Sequence, residues 1–451
     1  MAHYILQCMH PDCKKVYEDD EDFRTMCDGE LKGEHGPAFL QALYEKDRID
    51  VHPEFPGIFQ FVDWLPSGNS YLKADTSFLG RPFSYKSEGL AERLKLKNLY
   101  IAFSGYWPEK GPNLHTRSFK EFEAQATIAR FLSIYRNKPC SPFIISSAGN
   151  TANGFNLICH LLDMKLYLVV PEVGLEKLVL PVKTAPYVIS VRGFYEDAIA
   201  IAEKISRVIG LKSESGARNV ARRAGMGTIM TNAVAHPKQG TGLLFDHYFH
   251  PVGSGTGAIA VWEAVKLLQK DGRYGSARTK IHMSQNHPFT PIVDSWEKGT
   301  REYLVADEEI ARERIAGVTA QVLTNRKAPY SIMGGLYDVL TESGGMTWRV
   351  NNYYLFHAAR MFREAEGMDI EPAAAVAVDS LRQAVESGAV RTNDSVLLHI
   401  TGGGPDIRYS KESCYPVVPQ ITVDPGDWEE ALTGIGKPEP ITETGRHIVD
   451  Y

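Results

Sequence analysis

The sequence predicts an α/β protein made of two doubly wound lobes, and three observations predict it. Strand-like and helix-like segments alternate along most of the chain. The strands run into glycine-rich turns that open helices, which is how parallel strands and their crossover connections read in sequence. The 451 residues are 43% hydrophobic and 23% charged, an ordinary globular balance with material for two or three packed units.

The first run of elements starts with "PFIIS" at 142–146, an apolar strand that ends in a turn. "TANGFNLICHLLD" follows at helical spacing, then "KLYLVVP" and "YVISVRG" as strands, then the helix "YEDAIAIAEKISRVIG" with a glycine stop at Gly210. The rhythm restarts at residue 242 with "GLLFDHYFHPVGSGTGAIAVWEAVKLLQKDG", a strand, a glycine turn and a helix; "TKIHMSQNHPFTPIVDSW" repeats that order. Two helices, "FHAARMFREAEG" and "PAAAVAVDSLRQAVESG", lead into the strand "DSVLLHITGGG". From Pro416 the tail reads as an irregular, proline-rich covering segment. The expected organisation is a ribbon-like segment over 1–35, a larger lobe from 36–120 and 236–451, and a smaller lobe over 121–235.

Charge and composition exclude several functions. A net charge of -6 lacks the basic face that phosphate backbones demand, so no nucleic-acid partner is expected. No segment approaches the roughly 20 apolar residues that span a bilayer, and the start carries no secretory pattern, so the expectation is a cytoplasmic protein with no membrane partner. Small-molecule chemistry in a homo-oligomer is expected instead. The six cysteines do not form a disulfide framework; Cys140, Cys159 and Cys414 lie in segments that read as core or core edge. Cys8, Cys13 and Cys27, with His10 near the first pair, resemble a zinc ribbon whose fourth thiolate is missing, with Glu30 in its place. Structural zinc favours a complete tetrahedral set, so no metal is expected, the alternative being three thiolates with His10.

Three glycine-rich turns carry the functional signal, because ligands in open α/β sheets bind beyond the carboxyl ends of the strands. In "SSAGNT", Ser147, Ala148, Gly149, Asn150 and Thr151 form an anion nest at a helix start; the plainer alternative is an ordinary turn with Ser or Asn as the cap. In "VGSGTGAIA", Gly253, Gly255 and Ala258 match a dinucleotide pattern, but the next strand ends in "SQNHP" without the acid that would hold a ribose. A phosphate cradle from Gly253, Ser254, Gly255, Thr256 and Gly257 keeps its support. In "HITGGGP", Thr401 is the polar group at a strand tip, followed by glycines that allow close approach of a flat ligand.

A lysine completes the set. Lys120 opens a segment whose apolar residues Phe119, Phe122, Ala126, Ile128 and Ala129 predict an amphipathic helix. A lysine at the positive end of a helix is electrostatically misplaced, and an anionic, planar, phosphate-bearing cofactor that needs an amine would account for it. Pyridoxal 5'-phosphate is such a ligand.

The order of lysine, "SSAGNT", "GSGTG" and Thr401 with its glycines resembles the tryptophan-synthase-like family of pyridoxal phosphate enzymes, the second fold type, in its threonine-synthase branch. The resemblance covers nearly the whole chain. It implies that Lys120 is the Schiff-base lysine, Asn150 the donor to the ring oxygen, Gly253 to Gly257 the phosphate cradle and Thr401 the partner of the pyridine nitrogen. Many members read "GSFKDRG" around the lysine, whereas this chain reads "RSFKEFEA", with Glu121, Phe122 and Glu123 after it. That departure and the incomplete ribbon resemble the archaeal cysteate synthases, which implies O-phospho-L-serine and sulfite as substrates, L-cysteate and phosphate as products, and a place in coenzyme M biosynthesis. His115, Thr116 and Arg117 beside the lysine, and Ser147, Ala148, Gly149 and Thr151 in the nest, are the candidate substrate-binding residues. The alternatives are threonine synthase acting on O-phosphohomoserine, or another β-eliminating or dehydratase enzyme using the same cofactor.

Overall fold

In the computed structural model, residues 3–147, 149–403, 414–436, 438–442 and 444–450 are described. Ala148 and the end of the third glycine turn, from Gly404, lie outside them. Two parallel sheets dominate, as the alternating rhythm predicts. The larger has six strands in the order Met346–Val350, Lys280–Asn286, His247–Pro251, Ser395–Ile400, Asn98–Phe103 and Ser84–Lys86, of which only the last runs antiparallel to its neighbour. The smaller has five parallel strands in the order Lys212–Ser213, Phe143–Ser146, Leu166–Pro171, Tyr187–Val191 and Ile421–Val423. The chain returns to lay Ile421–Val423 at the edge of the smaller sheet, so the tail is not merely a covering segment. Its apolar side chains explain this: Val423 is 1% exposed and belongs to the core of that lobe.

Helices Lys120–Ile134, Asn150–Leu161, Val220–Ala235 and Thr256–Asp271 pack on one another beside the sheets. The first two meet closely because Gly154 has no side chain: a Cβ there would come within 2.7 Å of the Lys120 carbonyl oxygen. One continuous apolar core runs from the amino-terminal aromatic residues through these helices to both sheets.

The helix Lys120–Ile134 differs from the expected amphipathic one. It is buried on nearly every face, including Glu121, Glu123, Gln125, Thr127 and Arg130, which are all 0% exposed. Burying such groups unpaired would cost several kcal/mol, and each is paired. Glu121 accepts from the Gly80 N–H at 2.7 Å and the Thr116 hydroxyl at 3.0 Å. Gln125 accepts from the Ile58 N–H and donates to the Gly80 carbonyl. Thr127 accepts from Asn219 at 3.0 Å.

Residues 3–44 form a small antiparallel sheet, Val16–Tyr17, Tyr4–Cys8 and Leu40–Tyr44. It is bound to the lysine helix through Arg130, whose Nε and Nη2 donate to the two Asp19 oxygens at 2.6 and 2.8 Å with both side chains fully buried. Arg130 also donates to Asn219 and to the Arg24 carbonyl, and Tyr4 donates to Asp19. Removing one partner leaves a charge buried without its counter-ion. Asp19→Ala is therefore expected to lower unfolding free energy by about 3 to 5 kcal/mol, against about 1 kcal/mol for Tyr4→Phe, read from denaturant midpoints.

Candidate active site

Lys120 is held by main-chain bonds between the segment before it and the tip of the strand Ser395–Ile400. The Phe119 N–H donates to the Thr401 carbonyl at 3.2 Å, and the Gly403 N–H donates to the Arg117 carbonyl at 3.0 Å. Arg117 takes the left-handed conformation, φ 62°, to make that crossing. Lys120 and Thr401 consequently face the same cavity, of about 1380 Å³.

The other glycine turns open into that cavity. Gly255 sits at φ 72° and caps the helix Thr256–Asp271, whose first N–H groups have no partner inside the helix. The Ser254 and Thr256 hydroxyls lie 2.9 Å apart beside it. Cβ atoms would come within 2.6 Å of the Val322 carbonyl at Gly253 and within 2.5 Å of His250 at Gly257, so this loop admits only glycine at those points. Backbone donors at a positive helix end suit a phosphate. Ser147, Gly149, Asn150 and Thr151 line the opposite wall at the start of the helix Asn150–Leu161. An amine, a glycine loop with backbone donors at a helix start, a hydroxyl and a side-chain amide thus share one cavity, and they fit pyridoxal phosphate.

Beneath the lysine is a buried charge network that sequence spacing did not show. Lys120 Nζ lies 3.4 Å from Glu123 Oε2, the position where the usual pattern has glycine. Arg222 Nε is 3.0 Å from the same oxygen, Thr151 donates to the other at 2.8 Å, and Arg222 also pairs with Glu214 at 2.6 Å. Burial lowers the Lys120 pKa, assisted by the nearby Arg222 charge and opposed by Glu123 and Glu214. On its other side are two buried histidines at the ends of central strands. His250 and His399 have their Nδ1 atoms 3.0 Å apart, Tyr248 lies 2.8 Å from His399 Nδ1, and Ser104 is 3.0 Å from its Nε2. Burial, with the Lys120 charge next, holds His250 down to about 3, and His399 is also held well below its usual value by burial. Both are neutral at physiological pH. The sequence signal was available: each histidine comes shortly before a glycine turn, in "FHPVG" and "LHITG".

Glu371 was also missed. It precedes the helix Pro372–Glu386, lines the cavity, and accepts from Asn150 Nδ2 at 3.2 Å. Gly402 makes room for it, since a Cβ there would lie 2.5 Å from the carboxyl group. Burial pushes the Glu371 pKa up to about 7, against the opposing effects of Asn150, Arg117 and Lys177.

Three expected substrate-binding residues lie elsewhere. The His115 ring packs against Phe78 and Tyr106, the Thr116 hydroxyl is committed to Glu121, and Arg117 is 9% exposed, with its charge acting on Glu371. None of the three lines the cavity, although Arg117 acts on Glu371, which does. The cationic lining comes from distant segments, among them Lys177, Arg192, Arg218, Arg222, Arg312 and Arg326. In all, eight lysines and arginines against four glutamates face this space.

The comparisons with known proteins agree with this geometry. Residues 110–402 match the family described as pyridoxal-phosphate dependent enzyme. A protein of Methanosarcina acetivorans named cysteate synthase is 39% identical over 432 residues, covering 95% of this chain and 98% of that protein. One of Methanoculleus marisnigri with the same name is 41% identical over 429 residues, 94% of each. Among solved structures, the processed form of threonine deaminase isoform 2 from Solanum lycopersicum shares the fold at a TM-score of 0.54 and 18% identity, covering 80% of this chain and 94% of that one. Diaminopropionate ammonia lyase from Escherichia coli does so at 0.54 and 14%, covering 73% and 86%. The chain belongs to the family of pyridoxal-phosphate dependent enzymes, in the branch of relatives named cysteate synthase. Its cofactor is pyridoxal 5'-phosphate.

Lys120→Ala should purify without the borohydride-fixable cofactor absorbance and lose about 10²- to 10⁴-fold or more in turnover; spectra and rates of the purified variant check both. Glu371 gives a pH-dependent signature. Its folded pKa of about 7 exceeds the ordinary 4.5, so the folded chain holds the extra proton between these values and its stability falls as pH rises through them. Relative to Glu371→Gln, the cofactor-free protein should lose stability from about pH 5 to about pH 7, by less than about 1.4 kcal/mol per pH unit because the side chain is partly exposed. Thermal melts across that range measure it.

Proposed function

We propose that the enzyme replaces the phosphate of O-phospho-L-serine with sulfite, giving L-cysteate and phosphate, a step toward coenzyme M. The names of its relatives support this reading, and one observation carries it: a cavity rich in cations inside a chain of net charge -6. Two doubly charged anions must be accepted in turn, the leaving phosphate and the entering sulfite, and clustered cationic donors serve both. Arg222 is already committed to Glu123 and Glu214, and Arg218 to Glu30. Lys177 has no ion pair among the described residues and stands beside the "SSAGNT" turn, which makes it the best placed to meet a phosphate.

Pyridoxal phosphate, when bound, supplies an electron-accepting ring that acidifies the substrate's α-proton. The remaining tasks fall to the chain. Lys120 Nζ takes that proton and later returns it, and burial favours the neutral amine that a base requires. Glu123 takes both Lys120 and Arg222 on one oxygen, so that the carboxylate favours the lysine's charged form while the Arg222 charge opposes it. The β-carbon's bond to the phosphate oxygen breaks, and a bond from that carbon to the sulfite sulfur forms. Thr401 offers a neutral hydroxyl, not a carboxylate, at the strand tip, which suits elimination and replacement over transamination. The lowered pKa of His250 and His399 keeps their side of the site uncharged.

Phosphate release from phosphoserine and from O-phosphohomoserine, each with and without sulfite, tests the reading. Phosphoserine with sulfite is expected to give cysteate, and phosphohomoserine to react more slowly by at least the about 10- to 200-fold that one methylene commands. Threonine formed from phosphohomoserine at a comparable rate would return the protein to threonine synthesis.

A further inference from the structure

The amino-terminal ribbon gathers Cys8, Cys13, Cys27 and His35, whose ligand atoms all lie within 4.8 Å of one another. Cys8 ends the strand Tyr4–Cys8, Cys13 follows a tight turn, and Cys27 caps the short helix Asp28–Leu31. The sulfurs of Cys13 and Cys27 are 3.5 Å apart, well beyond a disulfide bond of about 2.05 Å. His35 Nε2 is 3.4 Å from Cys27 Sγ and 3.8 Å from Cys8 Sγ.

Those separations are the edges of a metal tetrahedron. Bonds of about 2.3 Å from zinc to sulfur and about 2.0 to 2.1 Å to nitrogen, at tetrahedral angles, put sulfur atoms about 3.8 Å apart and sulfur from nitrogen about 3.5 Å apart. Three thiols and an imidazole that converge within 4.8 Å, with three of their separations near these values, match a closed structural site.

The surroundings are those of a metal site. His35 Nδ1 lies 2.8 Å from the Gly36 carbonyl, a bond that fixes the ring and leaves Nε2 to face the sulfurs. The Gly29 N–H points at Cys27 Sγ from 3.3 Å, and the Tyr17 hydroxyl is 3.2 Å from the same atom. Cys8 and Cys27 are 0% exposed. Both alternatives read from the sequence are displaced. His10 stacks on the His35 ring at 4.5 Å and is not among the four ligands, and Glu30 is occupied by Arg218 at 2.6 and 3.0 Å. The missing fourth ligand is a histidine that arrives eight residues after Cys27.

We infer that Cys8, Cys13, Cys27 and His35 bind one zinc ion in a closed, structural Cys3His site. The small sheet around it has few apolar side chains of its own, and a metal supplies the cross-link that such a unit otherwise lacks. The site also bears on the cavity, since Thr25 and Met26, immediately before Cys27, line its wall.

Metal analysis of the holoenzyme purified without chelator tests this, with variants as controls. About one zinc per chain is expected, lost in His35→Ala and retained in His35→Cys, which restores a fourth ligand, and in His10→Ala. In the folded wild type, titration with an organomercurial should release the zinc as the three ribbon thiols react, a result independent of whether any variant folds. Protein that is metal-free as purified and takes up no zinc under reducing conditions would overturn the site. So would zinc that persists in His35→Ala, or that is lost in His10→Ala but not in His35→Ala.

Discussion

A helix that is buried on almost every face can carry polar side chains only if each finds its partner, and the molecule is arranged around that requirement for Lys120–Ile134. Arg130 draws in Asp19 and with it the amino-terminal sheet. Glu121 fixes the turn at Gly80, Thr127 binds Asn219 at the start of the helix Val220–Ala235, and Glu123 brings in Arg222. Because these bonds lie in a low-dielectric interior, an unmatched member would be costly, and the elements around the helix have little freedom to move relative to it. Lys120 therefore begins a helix that is anchored along its length.

The same burial sets the electrostatics. Desolvation lowers the pKa of Lys120, suppresses charge on His250 and His399, and raises Glu371. One physical cause thus pushes the bases toward neutrality and the acid toward its protonated form. Charge is kept where a counter-ion is present, as in Arg222 between Glu123 and Glu214. The net effect is a lysine with neutral histidines on one side and paired charges on the other.

The parts legible in the sequence were those written locally. A strand, a glycine turn and a helix start are contiguous, so the "SSAGNT" and "GSGTG" loops and Thr401 could be read from neighbouring residues, and all face the cavity. Adjacency in the chain was a poorer guide beside the lysine: His115 packs against Phe78 and Tyr106, Thr116 is committed to Glu121, and neither they nor Arg117 line the cavity. The burial of the lysine helix was hidden because its polar residues look like a solvated face until partners far along the chain, such as Asp19, Gly80 and Asn219, are seen. Glu371, Arg192 and Arg222 reach the cavity through crossover connections, and no spacing rule reports that. His35 escaped for a smaller reason, since the ribbon pattern directed attention to Glu30.

The strand Ile421–Val423 has a consequence for solubility. It is three residues long and occupies the margin of the five-stranded sheet, beside Tyr187–Val191. A margin strand that short offers little main chain for another molecule to pair with. Without it, the apolar segment YVISV would present its own unpaired N–H and C=O groups along a flat border, a ready template for a second copy of the same sheet. The returning tail is thus a guard against self-association as well as a part of the fold, and a chain shortened before residue 421 would carry an adhesive edge into solution.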